Sequence, residues 1–144
     1  MSDADLGLVP RTALLSLAAR LSAQCTVEHL QVPQAGLWLV ELVESVHGDH
    51  FHLGEVPAGQ ACIALHHTER GTARGGAVLL QADREVAVAA AICDAVQRAG
   101  WPGADEVAIL QQVGGERRAV AERARLSILD RTRVSFSELG QEGA

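Results

Sequence analysis

Between Val86 and Val96 only one polar side chain, Asp94, interrupts the run Val-Ala-Val-Ala-Ala-Ala-Ile-Cys-Asp-Ala-Val. The spacing predicts a helix over residues 84–99, with Asp83 positioned to cap it. At helical period one face carries Val86, Ala90, Cys93 and Val96, and the opposite face carries Val88, Ala91, Ile92 and Ala95. A helix apolar all round is buried on more than one side. A single sheet covers one of those sides, so the other must meet a second helix layer or another chain. Val88 and Ile92 are therefore candidate partner-interface residues, and the alanines permit close approach. An unpaired buried carboxylate is costly, so Asp94 needs a partner, and Arg98, one turn on, is the local candidate.

The rest of the chain supplies the sheet and further helices. Pro10 opens a helix whose Leu14, Leu15, Ala18 and Leu21 recur at helical spacing to about Ser22. Strands are predicted over residues 26–32, 37–46, 61–66 and 77–80, with a short extended piece at Phe51-His-Leu53. Turns are expected at Pro33-Gln-Ala-Gly36, His47-Gly-Asp-His50 and Gly54-Glu55, and a glycine-rich hairpin loop over residues 69–76. Trp101-Pro-Gly-Ala104 is a break. A helix capped by Asp105 is expected to run to about Val113, to kink or stop at Gly114-Gly115, and to resume over residues 116–130. Short loops between the strands favour antiparallel pairing. The expected fold is a single α+β domain over residues 1–144. Its antiparallel sheet of about four strands is flanked by helices and followed by a helical C-terminal segment and an extended tail.

Charge and composition narrow the function. The net charge of −6 argues against a nucleic-acid-binding module. All twelve cationic side chains are arginines, and six of them (Arg117, Arg118, Arg123, Arg125, Arg131, Arg133) face only Glu116, Glu122 and Asp130 within residues 116–133. A basic segment on an acidic body is a candidate docking surface, and its plainer reading is a solvated helix face with local Glu–Arg pairs. The tail, Val134-Ser-Phe-Ser-Glu-Leu139, adds apolar side chains that so short a segment cannot bury alone. Val134, Phe136 and Leu139 are thus further candidate interface residues, with residues 130–144 docking on a partner. No apolar stretch reaches spanning length without a charge or turn signal, and the N-terminus lacks a signal-peptide core. A cytoplasmic location is expected, with reduced thiols at Cys25, Cys62 and Cys93.

No pattern amounts to a self-contained active site. His50 and His52 could share a strand face and chelate, with His47 and Asp49 nearby, but no clear third ligand accompanies them. The expectation is no metal site. Gly71, Gly75 and Gly76 lack the lysine that would complete a phosphate loop. Cys25 and His29 stand at helical spacing with nothing else to support a nucleophile. Glu55, beside Gly54, is the one candidate for a catalytic carboxylate, and its plainer reading is a solvated turn residue.

The order of these elements resembles the PhnG family, the small G subunit of the bacterial carbon–phosphorus lyase system. The matching features are Pro33-Gln-Ala-Gly-Leu37, Phe51-His-Leu-Gly-Glu-Val56, Cys62, the glycines at 71–76, Ala87–Ala95 with Asp94, and Val134-Ser-Phe136. Gly54, Glu55, Cys62 and Asp94 fall on the family's motif positions. Three stretches depart from it: Gln81-Ala-Asp83 replaces a Gly-Arg-Asp entry to the central helix, Glu41 stands where an arginine is usual, and Ser137 follows Phe136 in place of a second phenylalanine.

The resemblance implies phosphonate use as a phosphorus source. It implies a subunit that acts with the I, H and L subunits to displace adenine from ATP with a phosphonate, forming ribose 1-phosphonate 5-triphosphate. The J subunit then cleaves the carbon–phosphorus bond. The I subunit is the expected first partner, with H, J and L beyond it. ATP with magnesium enters as a substrate of the complex, and no cofactor is expected on this chain. The rival readings are a free-standing homo-oligomeric small-ligand binding or regulatory protein and a small metal-dependent enzyme using the His47–His52 hairpin.

Overall fold

A computed structural model describes residues 3–132. A short 3-10 helix, Asp3–Leu8, leads into α1 (Arg11–Ser22). Three strands follow, β1 (Cys25–Val43), β2 (His50–His67) and β3 (Gly71–Leu79), and then α2 (Arg84–Ala99) and α3 (Ala104–Arg131). The strands form one antiparallel sheet in the order β1-β2-β3. The α+β class and the antiparallel sheet are as expected, with three strands in place of four.

The difference has a local cause. Pro33-Gln-Ala-Gly36 is not a turn. β1 runs straight through it, and bulges between His29 and Gln31 and between Gln31 and Gln34 absorb the irregularity. Gly54-Glu55 is likewise strand: Gly54, at φ 145°, sits opposite Val40, beside a further bulge at Val40/Glu41. Proline and glycine that read as punctuation instead mark bulges in two long strands of 19 and 18 residues. The turn between those strands is held by Glu44, whose carboxylate accepts from the backbone N–H groups of Val46 and His47 at 2.6 and 2.7 Å.

α2 is the centre of the core. Asp83 caps it by accepting from the N–H groups of Glu85 and Val86 at 3.0 and 3.1 Å, and Gly100 ends it in the left-handed region at φ 63°. Ten of its residues are buried. One side lies on Ile63 and Leu65 of β2 and on Ala73, Ala77 and Leu79 of β3. The other side is covered by Leu14, Leu17 and Ala18 of α1, with Val107 of α3 and Leu6 of the 3-10 helix closing the ends. The second helix layer that the sequence demanded is thus largely supplied within the chain. Gly75 allows the close seat: a Cβ there would lie 2.2 Å from the carbonyl oxygen of Ala91 and 2.4 Å from the nitrogen of Ala95. Gly75 and Gly76 therefore belong to β3, not to a hairpin loop.

α3 is one helix of 28 residues, without the break expected at Gly114-Gly115. Its N-cap is Gly103, and Asp105 and Glu106 lie in the first turn, where they complement the helix dipole. Gly114 is buried, and a Cβ there would sit 2.0 Å from the carbonyl oxygen of Asp5. The glycine admits the 3-10 helix instead of ending α3. Arg118 Nη2 lies 2.8 Å from Asp5 Oδ1, an ion-pair distance without hydrogen-bond alignment, and Arg117 donates to the carbonyl of Leu8 at 3.1 Å.

Candidate functional site

Beyond the point where β3 ends at Leu79, opposite Gly59, β1 and β2 continue as a two-stranded ribbon. Residues 37–43 of β1 pair only with residues 50–57 of β2, and reach about 20 Å at strand rise. Leu37, Leu39, Glu55 and Pro57 share one face of this arm, and Trp38, Val40 and Val56 share the other. Leu37, Leu39, Val43 and Leu53 are each 58–67% exposed, and Phe51 is half exposed. The segment Phe51–Val56 lies wholly on the arm.

Glu55 projects from the middle of this ribbon, exposed, opposite Leu39. It sits on a strand, not on a turn, and no described side chain pairs with it. His50 Nδ1 lies 2.8 Å from Glu41 Oε1 across the strands, and His52 is the register partner of Glu41. Among the described residues no three His, Cys, Asp or Glu side chains gather in a form that could hold a metal ion. Glu41 is thus the residue that engages His50.

Asp94 has the partner expected of it and one more. Arg98 Nε donates to Oδ1 at 2.8 Å, and the backbone N–H of Gly76 donates to Oδ2 at 3.0 Å. Asp94 is only 6% exposed and satisfies an N–H of edge strand β3. Cys93, fully buried beside it, has its thiol pushed up to about 12 by desolvation, which leaves it inert. Cys62 is half-buried on β2, opposite Gln31 and Gly76. Ile92 is buried in the chain's own core, and Val88 is half-buried at the wall of a groove of about 500 Å³ shared with Leu15, Ala18, His29 and Pro33. Val134, Phe136 and Leu139 lie outside the described residues.

The sequence offers His66-His67 only as a pair that could lie across a hairpin near the other histidines, and the structure gives His67 a structural place. It is buried, its Nδ1 accepts from the N–H groups of Glu69 and Arg70 at 3.1 and 3.3 Å, and its ring meets Trp101 edge-on at 6.0 Å. It fixes the β2–β3 turn. The pair stands just before Thr-Glu-Arg-Gly, the turn it fixes. Its neighbour His66 stands on the open face between Glu28 and Thr72 at 2.7 and 3.0 Å.

The arm, the glycine-seated helix and the Asp94 anchor fall in one order along one chain. The family described as "Phosphonate metabolism protein PhnG" matches residues 4–140. The chain belongs to the PhnG family. No curated protein matches it. Membership places this PhnG-family chain in phosphonate metabolism. The match takes in all the described strands and helices but for the first residue of the 3-10 helix, and the positions of Val134, Phe136 and Leu139. Among its described helices, none is long and apolar enough to cross a membrane.

Proposed function

We propose that this chain is a non-autonomous subunit of the carbon–phosphorus lyase machinery. In this reading it acts with the I, H and L subunits in transferring the ribose triphosphate of ATP to a phosphonate, with release of adenine. The J subunit acts afterwards on the product. The I subunit is its first partner, ATP with magnesium is a substrate of the complex and not a cofactor of this chain, and the setting is the cytoplasm. One observation carries the proposal. The Phe51–Val56 segment lies on a two-stranded ribbon with apolar side chains exposed on it. An isolated two-stranded hairpin is marginal in water, and contiguous exposed apolar surface of this kind marks a binding surface. A ribbon carrying apolar side chains on both faces fits a cleft in a partner better than a flat surface.

The test is co-expression with the I, H and L subunits, followed by assay of phosphonate-dependent adenine release. Leu39→Asp with Leu53→Asp is expected to lower co-purification by tenfold or more, and adenine release with it. An unchanged complex would defeat the reading. Glu55→Gln separates two roles: a fall in kcat within an intact complex assigns Glu55 to the chemistry, and unchanged turnover leaves it on the arm as a solvated carboxylate.

The groove at Val88 is the specific observation that favours the rival, a free-standing homo-oligomeric small-ligand protein. That reading requires a defined oligomer of the chain alone, visible by sedimentation velocity, and full function without the I subunit.

A further inference from the structure

The helix layer stops short of one inward-facing residue of β1. Cys25, Val27 and His29 stand opposite His67, Leu65 and Ile63, so they share the face of the sheet on which α2 lies. Cys25 and Val27 pack against the core. His29 does not: it is exposed, and it lines the groove of about 500 Å³ at Val88. α1, α2 and β1 each supply a wall of this groove, through Leu15, Val88 and Pro33 among others. From Arg84 to Ile92 the α2 wall runs about 12 Å at helical rise.

The groove is a recess. Leu15 and Val88 are half-buried and Ile92 is buried, whereas the apolar side chains of the arm stand out from the surface. A recess of this size, apolar within and carrying few polar groups, has the form of a small-molecule site. His29 and Arg84 supply its basic groups. Among the described residues no carboxylate pairs with either. Glu85 is the one acidic side chain among the described lining residues, and Arg11 holds it in an ion pair. An unclaimed guanidinium and an imidazole therefore stand beside an apolar trough. A guanidinium binds an oxyanion through paired N–H groups, and an imidazole N–H can add another. A neutral apolar molecule would leave Arg84 unused, a cation would be repelled by it, and a wholly polar anion would gain nothing from the apolar walls.

We infer that the groove between α1, α2 and β1 binds a small amphiphile. Its apolar alkyl or aryl body lies along Val88 and Ile92, and its single oxyanion head is held by Arg84 and met by His29 from β1. The site is separate from the arm and rests on neither functional reading above. It gives the groove a ligand class without the defined oligomer that the rival reading requires.

The test is an NMR titration of the full chain, dilute and labelled at methyl groups and histidine rings, with octanoate, octyl phosphate, 1-octanol and acetate in turn. Octanoate or octyl phosphate is expected to shift the Val88 and Ile92 methyls and the His29 ring saturably, about tenfold more tightly than 1-octanol. Acetate is expected to shift none of them. The tighter of the two anions names the head group. Arg84→Gln is expected to weaken that anion by about tenfold and to leave 1-octanol as it was. Arg84 is exposed, so the fold is unaffected. Ala19→Glu, at an exposed position on the α1 wall, puts a carboxylate into the groove and is expected to abolish binding of both anions. 1-Octanol binding as tightly as the anions, or Arg84→Gln binding as the wild type does, would overturn the inference. So would groove signals that move with protein concentration alone, since a second copy would then fill the recess. If the chain never joins the complex yet binds the anionic probe, the functional reading fails and this inference stands. If it joins and no probe binds, only this inference fails.

Discussion

Asp94 ties three parts of the molecule together: the buried helix that carries it, Arg98 at the surface, and the N–H of Gly76 on the outer strand. Asp94→Leu leaves that half-buried N–H without its acceptor and is expected to cost about 1 kcal/mol, read as a lower urea midpoint at unchanged m. Asp94→Asn keeps an acceptor for Gly76 and should lose less. The need for a partner at Asp94 could be read from its apolar neighbours, and Arg98 from helical spacing. The link to Gly76 could not, because it joins residues 18 positions apart through a strand that looked like a loop. Asp83 adds a dependence on pH. Its hydrogen bond from Arg11, and then the N–H of Val86, hold its carboxyl below the usual carboxylate range. A depressed carboxyl contributes stability above its unfolded pKa of about 4 and loses it as pH falls through the folded value. Asp83→Asn, which keeps a good cap, should therefore melt below the wild type at pH 7 by a margin that closes under acid, in a thermal series from pH 7 to pH 2.

At the scale of elements, neighbouring glycines of α3 separate two effects that sequence cannot. Gly114→Ala drives a Cβ against the backbone of Asp5, whereas the Cβ of Gly115→Ala meets nothing within 4 Å. The first substitution is expected to destabilise by about 3 kcal/mol or to detach the 3-10 helix. The second is expected to stabilise by about 0.5–1 kcal/mol through helix propensity. Chemical denaturation of the pair checks both signs. The same contrast explains what was legible. α1 and α2 announced themselves because their apolar period is unbroken. The long strands and the long helix were cut into pieces on paper because Pro33, Gly36, Gly54 and Gly114 look like stops. Pro33 and Gly54 in fact sit at bulges, Gly114 at a close approach and Gly36 in regular pairing, and all are set by what lies across the fold. The candidate site suffered the same way, since taking Gly54-Glu55 for a turn hid the arm on which the Phe51–Val56 segment stands.

At the scale of the molecule, a head built on α2 holds out two extensions, the hairpin arm and the outer half of α3, and most of the large exposed apolar side chains lie on them. The chain made alone is accordingly expected to self-associate as its concentration rises, and the I subunit to suppress this. Sedimentation velocity across a concentration series would show a rising weight-average mass in the first case and a constant one in the second. A stable monomer throughout would contradict the expectation.

The seat of the 3-10 helix on α3 has a consequence for how the molecule is made. Asp5 and Leu8 meet Gly114, Arg117 and Arg118, so the 3-10 helix waits for α3, the last of the described helices. The β1–β2 hairpin joins sequence neighbours, and such hairpins form in microseconds. During synthesis the arm can thus take shape while the head is still open, and the head can lock only after α3 has emerged. On the proposed multi-subunit reading, a partner made nearby would meet the arm first, and the chain would mature from the arm inward.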